Sequence, residues 1–254
     1  LHIPEESIAW DYYASEEVRK NIVEMIGMSD ALWGVNRRIR DLYLQYGAKK
    51  WIENKVPVSY HQISQKKTGG PIKILYAGSV DHTIMIQEII TPVVTKLLET
   101  YGDRVMFTFI GADPGIKPSK SVQYIPFISP YEKYRAFVDE SGFDIGLAPG
   151  RESPFYACKY YNKFVDYTSI GAVGVYTDTD PYTQIVVNKE NGVLCKNTTE
   201  DWCRAVSMLI DDEPLRHSCA RRARELLKDA FSPAAVADSM ELQCKALVTY
   251  HAPR

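Results

Sequence analysis

The stretch FDIGLAPGRESPFYACKYYNKFVDYTSIGAVGVYT, residues 143–177, decides the fold class. Residues 143–149 and 172–177 are short apolar runs that end in Pro, Gly or polar residues, as buried strands do. Between them, residues 158–170 carry apolar side chains at helical spacing. A strand, a helix and a second strand in succession are typical of a mostly parallel sheet with helices on both faces. The stretch therefore predicts a doubly wound α/β domain.

The same alternation continues on both sides of this stretch. Further strands are predicted at 73–78, 105–111, 122–127 and 192–195. Further helices are predicted at 83–101, 130–141, 199–210, 214–228 and 233–248. Residues 69–254 are therefore expected to form a Rossmann-like domain with a mostly parallel sheet and a terminal helix.

The N-terminal segment has a different pattern. Two helical patterns are present, one beginning after Ser15 as a candidate N-cap and one ending at Gly47, and no strands are expected. The polar stretch QISQKKTGGP, residues 62–71, has the composition of a linker. The sequence thus predicts a helical segment plus linker over 1–68, followed by the second domain at 69–254.

Composition excludes several classes of function. The 30 Lys and Arg residues are balanced by 32 Asp and Glu residues, so the basic excess of a nucleic-acid binder is missing. No apolar run is long enough to cross a membrane, and the N-terminus lacks signal-peptide features, so no transmembrane segment and a cytoplasmic location are expected. The five Cys residues form no C-x-x-C pair and the His residues are scattered, so no metal site is expected.

One helical stripe carries charges suited to a nucleotide. Lys159, Lys163 and Asp166 fall at i, i+4 and i+7 of the helix predicted at 158–170. Two ammonium groups near a helix N-terminus favour phosphate, and a carboxylate offers two acceptor oxygens to the vicinal diol of a ribose. The alternative is a pair of solvated lysines with Asp166 paired to Lys163, an exposed contact worth only about 0.3–0.5 kcal/mol. Spacing alone leaves both interpretations open.

A family resemblance extends over residues 70–248. Residues 148–186, NGVLC (191–195), the Trp-bearing helical stretch at 198–227 and FSPAAVADSM (231–240) together resemble the donor-binding domain of GT-B glycosyltransferases of the family 4 type, also called glycosyl transferases group 1. The positions that match the family pattern are Lys159, Lys163, Asp166, Tyr167, Gly171, Pro181 and Tyr182. Residues 29–50 resemble the closing segment of the family's other domain.

The resemblance implies a role for each matching residue. Asp166 would contact the donor ribose, and Lys159 and Lys163 would lie beside the diphosphate. Phe127 and Ile128 would receive the base, although both are equally compatible with a place in the core. Gly78 and Ser79, after the first strand, would permit close backbone approach to the donor, or form an ordinary turn. Tyr134 and Trp202 are interpreted as packing residues.

Two departures from the family pattern concern catalysis. Cys158 stands where the first acid of the family's E-x7-E pattern is expected, and a thiol cannot replace a carboxylate there. Glu152 is the nearest substitute and the candidate catalytic residue, with a surface-loop acid as the alternative. The segment AGSVDHTIM (77–85) also lacks the Arg and Lys that commoner members place on the donor phosphates.

The resemblance implies a glycosyltransferase that moves a sugar from a nucleotide-diphosphate sugar to an unidentified acceptor, without a further cofactor. The chain is shorter than two such domains require, so a missing acceptor domain or a partner chain is expected, and the chain alone is expected to be inactive. The alternatives are a nucleotide-sugar-binding module without turnover, which Cys158 favours, and a GT-B epimerase.

Overall fold

The computed structural model describes residues 10–58 and 69–250, so most of the predicted linker lies outside the described residues. The strands are β1 (Leu32–Gly34), β2 (Trp51–Glu53), β3 (Ile72–Ala77), β4 (Val105–Ile110), β5 (Val122–Ile125), β6 (Ile145–Ala148), β7 (Val173–Thr177) and β8 (Val193–Cys195). The helices are α1 (Trp10–Tyr13), α2 (Glu16–Met28), α3 (Arg37–Gln45), α4 (Thr83–Ile89), α5 (Thr91–Tyr101), α6 (Tyr131–Ser141), α7 (Pro154–Ala157), α8 (Asn162–Ser169), α9 (Thr199–Asp211), α10 (Glu213–Phe231) and α11 (Pro233–Tyr250).

The chain divides into two compact units. Among the described residues, the N-terminal unit comprises 10–58, 153–160 and 226–250, and the sheet unit comprises 69–152 and 161–225. This division differs from the two consecutive domains expected at 1–68 and 69–254, because a short internal segment and the terminal helix α11 group with the N-terminal residues. Sequence order conceals such a grouping, since the three segments are far apart along the chain.

The N-terminal unit contains strands as well as helices. The expectation of helices alone was wrong, because β1 and β2 form a short parallel pair with Leu32 opposite Trp51. Each strand has three residues, too few to show an apolar alternation. The predicted cap Ser15 makes no side-chain capping bond to α2. The next helix, α3, does have a side-chain cap, because Oδ1 of Asn36 accepts from the backbone N–H of Arg38 at 2.7 Å.

The sheet unit is built on six parallel strands in the order β5-β4-β3-β6-β7-β8. All six correspond to strands predicted from the sequence. β3 lies between β4 and β6, so the chain first builds the sheet outward through β4 and β5 and then returns to the other side of β3. This reversal confirms the predicted Rossmann-like, doubly wound, mostly parallel α/β fold. In such sheets the crevice beside the reversal, at the carboxyl ends of the strands, is the usual ligand site.

One face of the sheet carries the main apolar core. Side chains of β3 and β4, among them Phe107 and Phe109, pack with α5 and α9 in one buried cluster. Trp202 of α9 is completely buried in this cluster, which confirms its interpretation as a packing residue. The predicted helix at 83–101 is two helices, and Pro92 lies in the first turn of the second, where its missing N–H costs nothing.

On the other face, α8 packs against β6 and β7. Tyr167 is fully buried, and its hydroxyl donates to the carbonyl of Leu147 at 2.7 Å. Its ring lies over Gly146 so closely that a Cβ there would be 2.2 Å from Cδ2 of the ring. Glycine at this position of β6 therefore determines how near the helix lies to the sheet.

The helix predicted at 158–170 begins later than expected, at Asn162. A separate short helix, α7, precedes it, and Lys159 lies between the two. Within the N-terminal unit, Asn36 Nδ2 donates to the carbonyls of Ala157 at 3.0 Å and Lys159 at 2.6 Å. These carbonyls would otherwise accept from the next helical turn. Lys159 is therefore not on the helix that carries Lys163 and Asp166, and the predicted single stripe of three charges was wrong.

We expect Gly146→Ala to lower the free energy of unfolding by about 1–3 kcal/mol, because the added methyl group overpacks against the buried ring of Tyr167. Gly27→Ala, in α2, is the matched control, since nothing lies within 4 Å of its added Cβ. That variant should be as stable as the parent or slightly more stable. Urea unfolding followed by circular dichroism measures both, and equal effects of the two changes would contradict the proposed close contact.

Candidate functional site

A cavity of about 460 Å³ opens at the carboxyl ends of β3 and β4 in the sheet unit. Six of the eight residues singled out in the sequence line it, and these are Gly78, Ser79, Phe127, Ile128, Lys163 and Asp166. They come from three separate parts of the chain, namely the end of β3, the loop before α6, and α8. The cavity therefore lies at the strand edge where a ligand is expected in this fold.

Two glycines are closely packed at the ends of β3 and β4, where the cavity opens. A Cβ at Gly78 would lie 2.4 Å from the hydroxyl oxygen of Tyr76. Gly111, with φ +83°, faces it, and a Cβ there would lie 1.9 Å from the Gly78 carbonyl oxygen. At Gly111 the obstacle is backbone and φ is positive, so that position accepts no side chain, whereas a side chain at Gly78 would have to displace Tyr76 or His82. Gly78 thus has a part in close packing, beyond its place in a turn.

Lys163 reaches the end of β3 from α8. Its ammonium group donates to the carbonyl of Ala77 at 2.6 Å and lies over the Tyr76 ring, 4.9 Å from the centroid. The side chain is half-buried. These contacts hold the positive charge at the carboxyl end of β3, which differs from the freely solvated lysine of the alternative interpretation.

Asp166 lies one turn further along α8 and lines the same cavity. Burial raises the pKa of its carboxyl group, while the positive charges of Lys163 and Arg135 act in the opposite direction and only partly offset the effect. Arg135 is held near this end of α8 by a bond from Nη1 to Ser169 Oγ at 2.8 Å. The site thus keeps a poorly solvated carboxylate beside a fixed cation.

Aromatic side chains form the outer wall. Phe127 and Tyr131 are both largely exposed and line the cavity, and Tyr134 lies beside Tyr131 with the ring centroids 5.9 Å apart. The interpretation of Tyr134 as a pure packing residue is incomplete, because it also lines the cavity. Burial and the charge of Asp166 raise the pKa of both tyrosines, so their hydroxyls stay protonated and able to donate.

The sequence reasoning missed several residues of this wall, chiefly His82, Tyr131 and Asn162. The i, i+3 spacing of Tyr131 and Tyr134 on α6 was a usable signal, since such residues share a helix face. His82 lies in the loop after the strand predicted at 73–78, where ligands bind in this fold, and that position was also a usable signal, although only the structure reveals its 3-10 turn (Val80–His82).

Two predicted residues do not line this cavity. Lys159 belongs to the N-terminal unit, where it lines a second cavity of about 430 Å³ together with Cys158 and Tyr43. Its ammonium group lies over the Tyr156 ring, 4.2 Å from the centroid. Glu152 is exposed in the bend that follows β6. Their roles at the diphosphate and in catalysis stay predictions.

Two kinds of feature are missing from the described part of the chain, a metal-ligand cluster and a membrane-spanning helix. Residues 10–58 and 69–250 contain no group of three His, Cys, Asp or Glu side chains placed to hold a metal ion. Over the same ranges, no helix combines the length and apolar character needed to cross a membrane.

No protein-family model matches the sequence, and no curated protein matches it. Solved structures do match. Sucrose-phosphate synthase from Thermosynechococcus elongatus aligns with a TM-score of 0.66 at 13% identity over 93% of this chain. A glycosyltransferase from Rickettsia africae aligns with a TM-score of 0.64 at 13% identity over 97% of this chain and 68% of its own. Anabaena HepE, crystallised with UDP and glucose, aligns with a TM-score of 0.65 at 11% identity over 96% of this chain and 70% of its own.

The chain has the fold of these GT-B glycosyltransferases. Identities this low establish the fold alone. The chain spans 63% of the sucrose-phosphate synthase structure and 46% of the matching TarM structure, so each of these proteins has a further portion without a counterpart here.

We expect Asp166→Asn to raise the free energy of unfolding near neutral pH. Burial raises the pKa of the Asp166 carboxyl group above 3.8, so the folded protein favours the protonated form of this group. The fold is therefore more stable below about pH 3.8, and it loses this stability as the pH rises through the raised pKa. The amide introduced by Asp166→Asn carries no charge at any pH, so the variant does not lose this stability. Urea unfolding at about pH 3.5 and pH 7 should show the variant more stable than the parent only at the higher pH.

Asp81→Asn is the control for this prediction, because Asp81 is an exposed carboxylate near the end of β3. It should leave stability unchanged at both pH values. A parent more stable than Asp166→Asn near pH 7 would mean that the ionised carboxylate stabilises the fold.

Proposed function

We propose that this chain supplies the donor-binding half of a family 4-type glycosyltransferase, which transfers a hexosyl group from a nucleotide-diphosphate sugar. The observation that carries the proposal is the cavity at the carboxyl ends of β3 and β4, where residues from three separate segments meet. Among the structures with this fold, Anabaena HepE was crystallised with UDP and glucose. The proposal therefore rests on two features, the position of the cavity and the chemistry of the residues that line it.

The walls suit the three parts of a nucleotide. Lys163 offers a fixed positive charge for a diphosphate, beside backbone that has no side chain at Gly78. Asp166 offers acceptor oxygens for the hydroxyl groups of a ribose. Phe127 and Tyr131 present exposed rings at the outer wall, against which a planar base can pack.

A specific observation supports a second candidate, a module that binds the nucleotide sugar without turnover. Cys158 replaces the acid expected from the family resemblance, and it lines the other cavity, in the N-terminal unit. Glu152, the substitute catalytic residue, lies in an exposed bend. A binding module requires Lys163 and Asp166 but neither of these two residues.

We also propose that sugar transfer requires a portion of protein beyond this chain. The chain spans 46% of the TarM structure and 63% of the sucrose-phosphate synthase structure, so an acceptor-binding portion or a partner chain would complete the site. Alone, the chain would bind donor without transferring its sugar to the unidentified acceptor. A cytoplasmic location is part of the same proposal.

Calorimetric titration with uridine, guanosine and adenosine diphosphates tests the proposed function directly. The parent should bind at least one of the three, and Asp166→Asn should bind it about tenfold or more weakly, because a hydrogen bond to a charged acceptor is lost. Circular dichroism should show both proteins equally folded. Parent protein that binds none of the three nucleotides would rule the proposal out.

Lys163→Gln should weaken binding of the nucleoside diphosphate far more than binding of the nucleoside, because only the diphosphate carries charge for the ammonium group to neutralise. High salt should weaken the parent's diphosphate binding and have little effect on the variant. Lys159→Gln, measured in the same way, tests the other predicted phosphate contact. Equal losses for nucleoside and nucleoside diphosphate in Lys163→Gln would contradict the assignment of Lys163.

A further inference from the structure

His82 lines the cavity, and the proposed function gives this residue no role. It ends the 3-10 turn Val80–His82 and lines the cavity together with Ser79 and Lys163. Its Nδ1 lies 2.7 Å from the hydroxyl oxygen of Tyr76. The imidazole is therefore anchored on one side and belongs to the cavity wall.

Tyr76 connects His82 to Lys163. Tyr76 is buried in β3 with 1% of its surface exposed, and its position is therefore fixed by the sheet. Its hydroxyl contacts His82 and its ring lies under the Lys163 ammonium group. One rigid tyrosine thus orients two nitrogen-bearing side chains that reach the cavity from different elements.

The absence of a side chain at Gly78 leaves room for the contact between His82 and Tyr76. A Cβ at Gly78 would lie 2.7 Å from Nδ1 of His82 and 2.4 Å from the Tyr76 hydroxyl oxygen. A larger residue at this position would displace the imidazole from Tyr76. The end of β3 therefore brings His82 and Lys163 to one small region, where both contact Tyr76.

This region otherwise lacks positive charge from its own loop. Residues 77–85, AGSVDHTIM, contain neither Lys nor Arg, so His82 is the one residue of that segment whose side chain can become cationic. When Tyr76 donates to Nδ1, the neutral ring carries its proton on Nε2, and protonation makes both nitrogens donors. In either form Nε2 is a hydrogen-bond donor suited to a phosphate oxygen.

We propose that His82 is a second anion-binding residue of this cavity, donating through Nε2 to the diphosphate whose charge Lys163 neutralises. The inference rests on the proposed function and adds a residue that specifies a diphosphate over a nucleoside. Tyr76 is the positioning residue, because it acts on the ligand through the imidazole and the ammonium group.

Two substitutions separate the two ring nitrogens. His82→Asn places an amide near the position of Nδ1 and removes the outer nitrogen, whereas His82→Gln places its amide near the position of Nε2. We expect His82→Asn to weaken binding of uridine diphosphate by about tenfold and to leave binding of uridine unchanged. His82→Gln should lose less. Tyr76→Phe, which retains the imidazole without its anchor, should show an intermediate loss confined to the diphosphate.

A purely structural role for His82 predicts the opposite order. The contact with Tyr76 would then matter most, so His82→Gln and Tyr76→Phe would lower the melting temperature, while His82→Asn would resemble the parent in stability and in binding. Calorimetry with uridine diphosphate and uridine, together with thermal unfolding of every variant, distinguishes the two cases. Should His82→Asn fail to fold, the diphosphate-to-nucleoside affinity ratio of Tyr76→Phe decides the question.

The outcomes separate this inference from the function on which it rests. A parent that binds uridine diphosphate, together with a His82→Asn variant that binds it equally well, overturns the role of His82 and leaves the proposed function standing. A parent that binds neither uridine diphosphate nor the guanosine and adenosine forms overturns both.

Discussion

The contact of Tyr167 with Gly146 determines where the chemistry of the sheet unit is placed. The tyrosine ring lies over a glycine of β6 and its hydroxyl donates to the Leu147 carbonyl, so α8 is held at a fixed height above the sheet. Lys163 and Asp166 lie on the same helix, four residues and one residue before Tyr167. Their distance from the end of β3 therefore depends on a packing interaction between two residues that take no part in the cavity themselves.

A charged group that suits the cavity to a ligand, the Asp166 carboxylate, also lowers the stability of the fold. Asp166 is desolvated, and its raised pKa shows that the nearby positive charges do not compensate for burial. Lys163 gives one hydrogen bond to the Ala77 carbonyl and lies over the face of Tyr76, which directs its charge toward the strand end. A cation and a poorly solvated carboxylate side by side favour a ligand that has both an anionic group and hydroxyl groups.

The fold and the sequence give different kinds of evidence about relatives. No family model matches the chain, whereas structures at 11–13% identity share its fold over more than nine-tenths of its length. A doubly wound sheet tolerates this divergence because its strands need only be short and apolar and its helices need only one apolar face. The close approach of Gly111 to the Gly78 carbonyl leaves far less freedom, since a side chain at Gly111 would collide with backbone.

The sequence by itself determined the six strands of the main sheet and the order of most helices, because apolar periodicity and turn residues are local properties of the chain. It also identified Lys163, Asp166 and the loop residues Phe127 and Ile128, which the structure gathers at one cavity. Only the tertiary structure decided that the helix carrying Lys163 and Asp166 begins at Asn162, since Asn36, more than a hundred residues away along the chain, bonds the carbonyls of Ala157 and Lys159. The pairing of β1 with β2 and the contact between His82 and Tyr76 were likewise decided there. Each depends on which groups meet in space, and a short segment carries no local signal of a partner supplied by another element.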